Sequence, residues 1–159
     1  MPKVMFVCTK NQFRSPLAAA ILKHALTERN FGDEWTVESA GSWVQHLAPA
    51  TPEAISEARK RGLDLSKHTA RGIEGIRRDL VDLYIVMESG QKESILIDYP
   101  YLKNKMLTLS ELMGVEFSIP DPYMTGESYR EIASEIEQII IRNLDRIVEL
   151  AQKSALLRS

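Results

Sequence analysis

Near its start the chain runs Val4-Met5-Phe6-Val7 and then meets Cys8, the only cysteine it has. A polar loop follows, closed by Arg14, Ser15 and Pro16, and after it comes an alanine-rich segment. The apolar run is too short for a helix and reads as a buried strand over residues 3–8. Leu17, Ala18, Ile21, Leu22, Ala25 and Leu26 fall on one stripe of a helix, predicted over 15–29 and ended by Asn30, Phe31 and Gly32. Strand, loop and helix start are thus joined within a few residues. This confines the chain to folds in which a helix packs back across a sheet.

The rest of the chain repeats the pattern. Trp35 to Ala40 reads as a second strand, closed by Gly41. Residues 42–52, with Pro49 and Pro52, read as loop. Thr51 and Pro52 have the cap-and-first-turn chemistry of a helix start, predicted to run to about Arg61 and to stop at Gly62. A third strand is predicted over 81–87, a helix over 89–97 and a fourth strand over 105–109. Residues 114–126, with Pro120, Pro122 and Gly126, read as loop. One last long helix is predicted from about Glu127, with Ile132, Ile136, Ile139, Ile140, Leu144, Ile147, Val148 and Ala151 as its apolar stripe. Strands alternating with helices imply an α/β fold: a doubly wound, four-stranded parallel sheet flanked by helices. Ligands in such sheets sit at the carboxyl ends of the strands, where the Cys8 loop lies.

Composition narrows the rest. With 159 residues, the chain is expected to form a single domain over 1–159. Its net charge of −2 offers no general attraction to nucleic acid or anionic membrane, so an anion site must be local. No apolar run approaches the roughly 20 residues of a membrane span, and the N-terminus does not read as a signal peptide. A lone cysteine rules out an internal disulfide framework and points to a reducing, cytoplasmic setting.

The loop from Cys8 to Ser15 collects the parts of a phosphate site. It runs into a helix N-terminus, whose unpaired N–H groups and dipole attract an anion. That field also favours the thiolate form of Cys8. Arg14 is planar and permanently charged, suited to two oxygens of one phosphate. Ser15 can donate its hydroxyl to the sulfur. The loop lacks the paired glycines and Lys-Ser/Thr of a Walker motif. Taken alone, each residue also has a bland reading: a buried strand-end cysteine and a surface arginine. Phosphate-ester chemistry also needs an acid for the leaving group. Of the 22 carboxylates, Asp121 stands out because Pro120 and Pro122 fix the backbone on either side of it, with Tyr123 adjacent. Its bland reading is an ordinary Asp-Pro turn.

Taken together, these residues resemble the low-molecular-weight protein tyrosine phosphatase family. The resemblance rests on Cys8-Thr9-Lys10-Asn11-Gln12-Phe13-Arg14-Ser15-Pro16 and on Asp121-Pro122-Tyr123. It is extended by Glu38-Ser39-Ala40-Gly41-Ser42, by Arg61-Gly62-Leu63-Asp64 with His68-Thr69-Ala70-Arg71, and by residues 82–87. It implies a phosphomonoester hydrolase acting on phosphoproteins, phosphotyrosine first, through a phosphocysteine intermediate. Cys8 would be the nucleophile and Arg14, with the loop N–H groups of Thr9 to Phe13, the phosphate binder. Asp121 would be the general acid and then base, and Ser15 would stabilise the thiolate. Asn11 would hold the loop's shape with Ser39 and His68. Trp43, Tyr123 and Met124 would line the entrance. No cofactor or metal is called for. The partner would be a phosphorylated protein, with no nucleic acid and no membrane, and the chain a monomer or weak dimer.

The chain departs from the family's usual pattern inside the loop. Lys10 stands where a glycine or small residue is usual, and a positive φ there would cost free energy. Phe13 stands where many members have a second cysteine, which removes a disulfide partner for Cys8. Gln12 replaces an apolar residue, and Met124 an aromatic one. Some relatives with a polar residue at the Gln12 position look like phosphoarginine phosphatases. A reactive cysteine after the first strand would also suit a thiol-coupled arsenate reductase, a sugar-transport phosphocarrier or an inactive phosphate-binding module.

Overall fold

The computed structural model describes residues 1–158. Four parallel strands form one sheet in the order β2-β1-β3-β4: β1 Lys3–Cys8, β2 Thr36–Gly41, β3 Leu83–Val86 and β4 Met106–Thr108. β1 lies inside the sheet, with β2 on one side and β3 then β4 on the other. The chain therefore winds outward from β1 in both directions, which opens a crevice at the strands' carboxyl ends. Cys8 is the last residue of β1 and pairs with Gly41, the last of β2.

Alternate residues of the strands feed two cores, as a sheet covered on both faces requires. Val4, Phe6, Cys8, Leu83, Ile85 and Met87 point to one core. It is completed from helices α1 (Arg14–Glu28), α2 (Pro52–Lys60), α5 (Tyr129–Arg142) and α6 (Leu144–Arg158), through residues such as Leu22, Ala54, Ile136 and Ile147. Met5, Val7, Tyr84 and Val86 point the other way, against Ile95 of α3 (Ser89–Asp98) and Leu102. α2 begins as its residues dictate, with Pro52 in its first turn and the Thr51 hydroxyl accepting from the Ala54 N–H at 3.1 Å.

The boundaries differ from the sequence expectation in three places. β3 and β4 are shorter than 81–87 and 105–109. The residue before β3, Asp82, is buried, and its carboxylate accepts from the Lys3 N–H and from Arg158. It ties the start of the sheet to the C-terminal helix instead of extending the ladder. The expected last helix is two helices. Asn143 breaks it: its backbone N–H and its side-chain Nδ2 both donate to the Ile139 carbonyl, at 3.1 and 2.8 Å. An amide side chain competing for a helix carbonyl disrupts the regular ladder, and the apolar stripe resumes in α6. The first of the two helices starts at Tyr129, capped by the Ser128 hydroxyl on the Glu131 N–H at 3.3 Å. Finally, the stretch 114–126 is not all loop, because Pro122–Thr125 forms a short helix, α4, whose N-cap is Asp121.

Candidate active site

The segment Cys8 to Arg14 folds into a cup between the end of β1 and the start of α1. Asn11 makes the turn. It takes φ +58°, which its short amide tolerates better than most side chains. Lys10 has no positive φ, so it carries no such cost: the left-handed residue is the next one along. Asn11 is fully buried, and its polar atoms are spoken for. Nδ2 donates to Ser15 Oγ at 2.8 Å and to Ser39 Oγ at 2.9 Å. Oδ1 accepts from the Arg71 N–H at 3.0 Å, and the Asn11 carbonyl accepts from His68 Nε2 at 2.7 Å. A carbonyl only accepts, so His68 carries its proton on Nε2. Ser39 and His68 thus reach the loop through Asn11.

Arg71 was visible in the sequence only as part of a longer motif. It also donates from Nε to the Ser39 carbonyl and pairs with Glu38 at 2.5 Å. Burial pushes the Glu38 carboxyl up, but hydrogen bonds from Lys3 and Arg71 outweigh it and hold the group below the ordinary carboxylate range.

The loop is also pinned by backbone bonds to the end of β2. The Ser42 N–H donates to the Cys8 carbonyl at 2.8 Å, and the Trp43 N–H to the Thr9 carbonyl at 3.0 Å. Gly41 is the point of closest approach. A Cβ there would lie 2.6 Å from the Thr9 carbonyl oxygen and 2.4 Å from a Val44 methyl. Gly41→Ala is therefore expected to cost roughly 1–3 kcal/mol, measured as a lowered unfolding midpoint, and to weaken phosphate binding by displacing Thr9. Thr9 has a second tether. Its hydroxyl accepts from Gln91 Nε2 at 2.8 Å, while Gln91 Oε1 accepts the Met87 and Glu88 N–H groups at the start of α3.

Inside the cup Cys8 Sγ lies 3.0 Å from Ser15 Oγ. The hydroxyl already accepts from Asn11, so its own proton can go to the sulfur, where it would stabilise negative charge. The Ala40 carbonyl, its other acceptor, lies farther off at 3.4 Å. Arg14 is only 3% exposed. Its Nη1 donates to the Glu88 carboxylate and to the Ile119 carbonyl, the latter at 2.8 Å. A buried guanidinium held by a carboxylate from β3's end and a carbonyl from the Asp121 segment has a fixed orientation. Neither Glu88 nor Gln91 carries a local signal in the sequence. Each acts across more than seventy residues of chain, and only the order of the strands brings them to the loop.

Above the cup is a cleft of about 240 Å³, lined by Cys8, Lys10, Gln12, Phe13, Arg14, Thr51, Asp121, Tyr123 and Tyr129. Asp121 caps α4, with Oδ1 accepting from the Tyr123 N–H at 3.1 Å, so this four-residue helix sets where the carboxylate stands. Phe13 and Tyr129 form an edge-to-face pair, 4.9 Å between centroids, on one wall. Burial raises the Tyr129 phenol above its ordinary value, with Glu53 and Asp121 adding to it. Tyr123 lines the rim, and Lys10 Nζ lies 4.9 Å from its ring centroid. Met124 does not line the cleft. Tyr123 and Met124 are both exposed, at 73% and 72%, but successive residues of the α4 turn point about 100° apart, and only Tyr123 borders the cleft. Trp43 faces a neighbouring hollow, not the cleft itself. Tyr129 and Thr51 also line the cleft, although the sequence assigned Thr51 only a capping role and singled out nothing at Tyr129. Among the described residues there is no cluster of metal-ligating side chains.

A thiol, a guanidinium and a carboxylate around one cleft, with a helix N-terminus beneath it, can bind, attack and release a phosphoryl group. The model of one protein family, described as low molecular weight phosphotyrosine protein phosphatase, matches residues 3–154. The chain belongs to this family. It is accordingly a cysteine-dependent phosphatase. A probable low molecular weight protein-tyrosine-phosphatase, EpsP, of Ralstonia nicotianae is 32% identical over 135 residues, covering 85% of this chain and 88% of that protein. A protein-arginine-phosphatase of Geobacillus stearothermophilus is 31% identical over 152 residues, covering 94% and 96%. Among solved structures, the low molecular weight protein tyrosine phosphatase from T. tengcongensis superposes with a TM-score of 0.80 at 32% identity, covering 92% of this chain and 99% of that one. The YwlE arginine phosphatase from Geobacillus stearothermophilus superposes with a TM-score of 0.77 at 29% identity, covering 100% and 98%. No described helix is long and apolar enough to cross a membrane.

Proposed function

We propose that the chain dephosphorylates proteins at phosphotyrosine, through a phosphocysteine on Cys8. The observation that carries this reading is the single cleft that Cys8, Arg14 and Asp121 share with the aromatic side chains of Phe13, Tyr123 and Tyr129. The aromatic wall suits a flat phenyl ester, and the cup at its base suits a phosphate.

The substrate phosphate enters the cup with its oxygens on the loop N–H groups and on Arg14. The Cys8 thiolate, supported by Ser15, attacks phosphorus. The bond from phosphorus to the tyrosyl oxygen breaks, and Asp121 gives that oxygen its proton. Asp121, now a carboxylate, takes a proton from a water molecule. The resulting hydroxide attacks phosphorus, the P–S bond breaks, and inorganic phosphate leaves with the thiolate restored. Arg14 and the loop donors stabilise charge on the equatorial oxygens in both steps. Each step uses only protein groups and water.

A second reading, phosphoarginine as substrate, is favoured by one feature. Gln12 puts a polar side chain on the cleft wall and donates from Nε2 to the Pro49 carbonyl at 3.2 Å, while its backbone carbonyl accepts from the Thr51 N–H. The two readings separate in one experiment. Matched peptides carrying phosphotyrosine or phosphoarginine are offered at equal concentration and phosphate release is followed. The aromatic cleft predicts a kcat/KM for phosphotyrosine at least about tenfold higher, equivalent to roughly 1.4 kcal/mol in transition-state binding. The reverse order would transfer the assignment to phosphoarginine.

A further inference from the structure

Beside the cleft lies a second hollow, of about 180 Å³, walled in part by Lys10, Gln12, Trp43, Gln45 and His46. Lys10 and Gln12 line both cavities and so form the ridge between them. No carboxylate lines the hollow, although the chain carries 22 of them and is net negative. Asp121 belongs to the cleft alone. Among the described residues Lys10 forms no ion pair, and its one aromatic contact is with the Tyr123 ring on the cleft side. Lys10, with no carboxylate partner among the described residues, together with His46 and the carboxamide residues Gln12 and Gln45, thus lines a space next to the one that receives the phosphorylated side chain.

We propose that this hollow is a subsite for an acidic residue neighbouring the phosphorylated one, and that Lys10 is its specificity-determining cation. A peptide with one side chain seated in the cleft must carry its neighbours across the rim, and the Lys10–Gln12 ridge is part of that rim. A carboxylate laid there meets Lys10 without meeting any negative group of the hollow, and the carboxamides of Gln12 and Gln45 can donate to it. The exposed indole of Trp43 supplies a flat wall for the aliphatic part of the same side chain. The interaction lies at the surface, so its weight is modest and falls with salt. It adds to substrate binding in ground and transition states alike and therefore acts on KM.

The inference rests on phosphopeptides being substrates. The test compares two phosphotyrosyl peptides, one with glutamate on both sides of the phosphorylated residue and one with alanine, against p-nitrophenyl phosphate as a reference with no flanks. At low ionic strength the glutamate peptide is expected to have a kcat/KM about three- to fivefold higher, through KM. The ratio should fall toward one in roughly 0.5 M salt. Lys10→Gln should bring the ratio to one whatever it does to the absolute rate. Gln45→Glu, at an exposed position outside the catalytic cleft, should reverse the preference. A ratio of one in the wild type, or a ratio unchanged by both variants, overturns the subsite while leaving the phosphatase reading intact. If p-nitrophenyl phosphate turns over and neither peptide does, the phosphopeptide reading fails and the subsite fails with it.

Discussion

Cys8→Ser is expected to abolish turnover of p-nitrophenyl phosphate, with a loss on the order of 10⁴-fold or more. A serine hydroxyl is close in size to the thiol and can keep the hydrogen bond to Ser15, now 3.0 Å from the sulfur. The fold should therefore survive, and circular dichroism with thermal unfolding provides the control. What is lost is the anionic nucleophile. The proposed nucleophile is a thiolate with the Ser15 hydroxyl 3.0 Å from its sulfur, whereas a serine hydroxyl is a far weaker acid and stays neutral near pH 7. Inorganic phosphate should still bind, because Arg14 and the loop N–H groups are untouched. Retained activity in a folded Cys8→Ser protein would mean that another group attacks phosphorus.

The second large effect belongs to Asp121. Asp121→Ala should slow hydrolysis by on the order of 10²–10⁴-fold for a substrate with a basic leaving group such as a tyrosyl phosphate. The loss of the first step should shrink for p-nitrophenyl phosphate, whose leaving group needs little protonation. A role confined to structure would not depend on the leaving group. Asp121 caps α4, so removal of its side chain also takes the acceptor from the Tyr123 N–H. Asp121→Asn keeps an acceptor there and separates the two contributions. An equal loss in both variants assigns the effect to the acid, and a loss only in the alanine variant assigns it to the cap.

How much of this was legible in the chain depends on distance along it. The cup is built almost wholly from contiguous residues, so strand, loop and helix start could be read from Val4 to Leu26, and the alternation of strands and helices implied the parallel sheet. Asp121 was legible because two prolines restrict the backbone around it. Glu88 and Gln91 were not. Nothing local distinguishes them from other polar residues near a helix start, and they reach Arg14 and Thr9 only because β3 lies beside β1. A positive φ was weighed only for Lys10, yet Asn11 is the residue that takes it, because a residue type does not say which peptide of a tight loop turns over. The split at Asn143 was hidden by an apolar stripe that runs unbroken through it. Periodicity reports which side is buried, not whether each carbonyl keeps its partner.

The mechanism stands on phosphate passing through the sulfur of Cys8. That passage is tested most directly by mixing Asp121→Ala with p-nitrophenyl phosphate, quenching in acid within the first turnover and weighing the protein. Loss of the base that activates water should leave the intermediate standing. The expected result is a mass increase of about 80 Da, one phosphoryl group, located by peptide mapping on Cys8 and absent when Cys8→Ser is added. A burst of p-nitrophenol with no phosphoryl group on the protein, or with the group on any other residue, would contradict it.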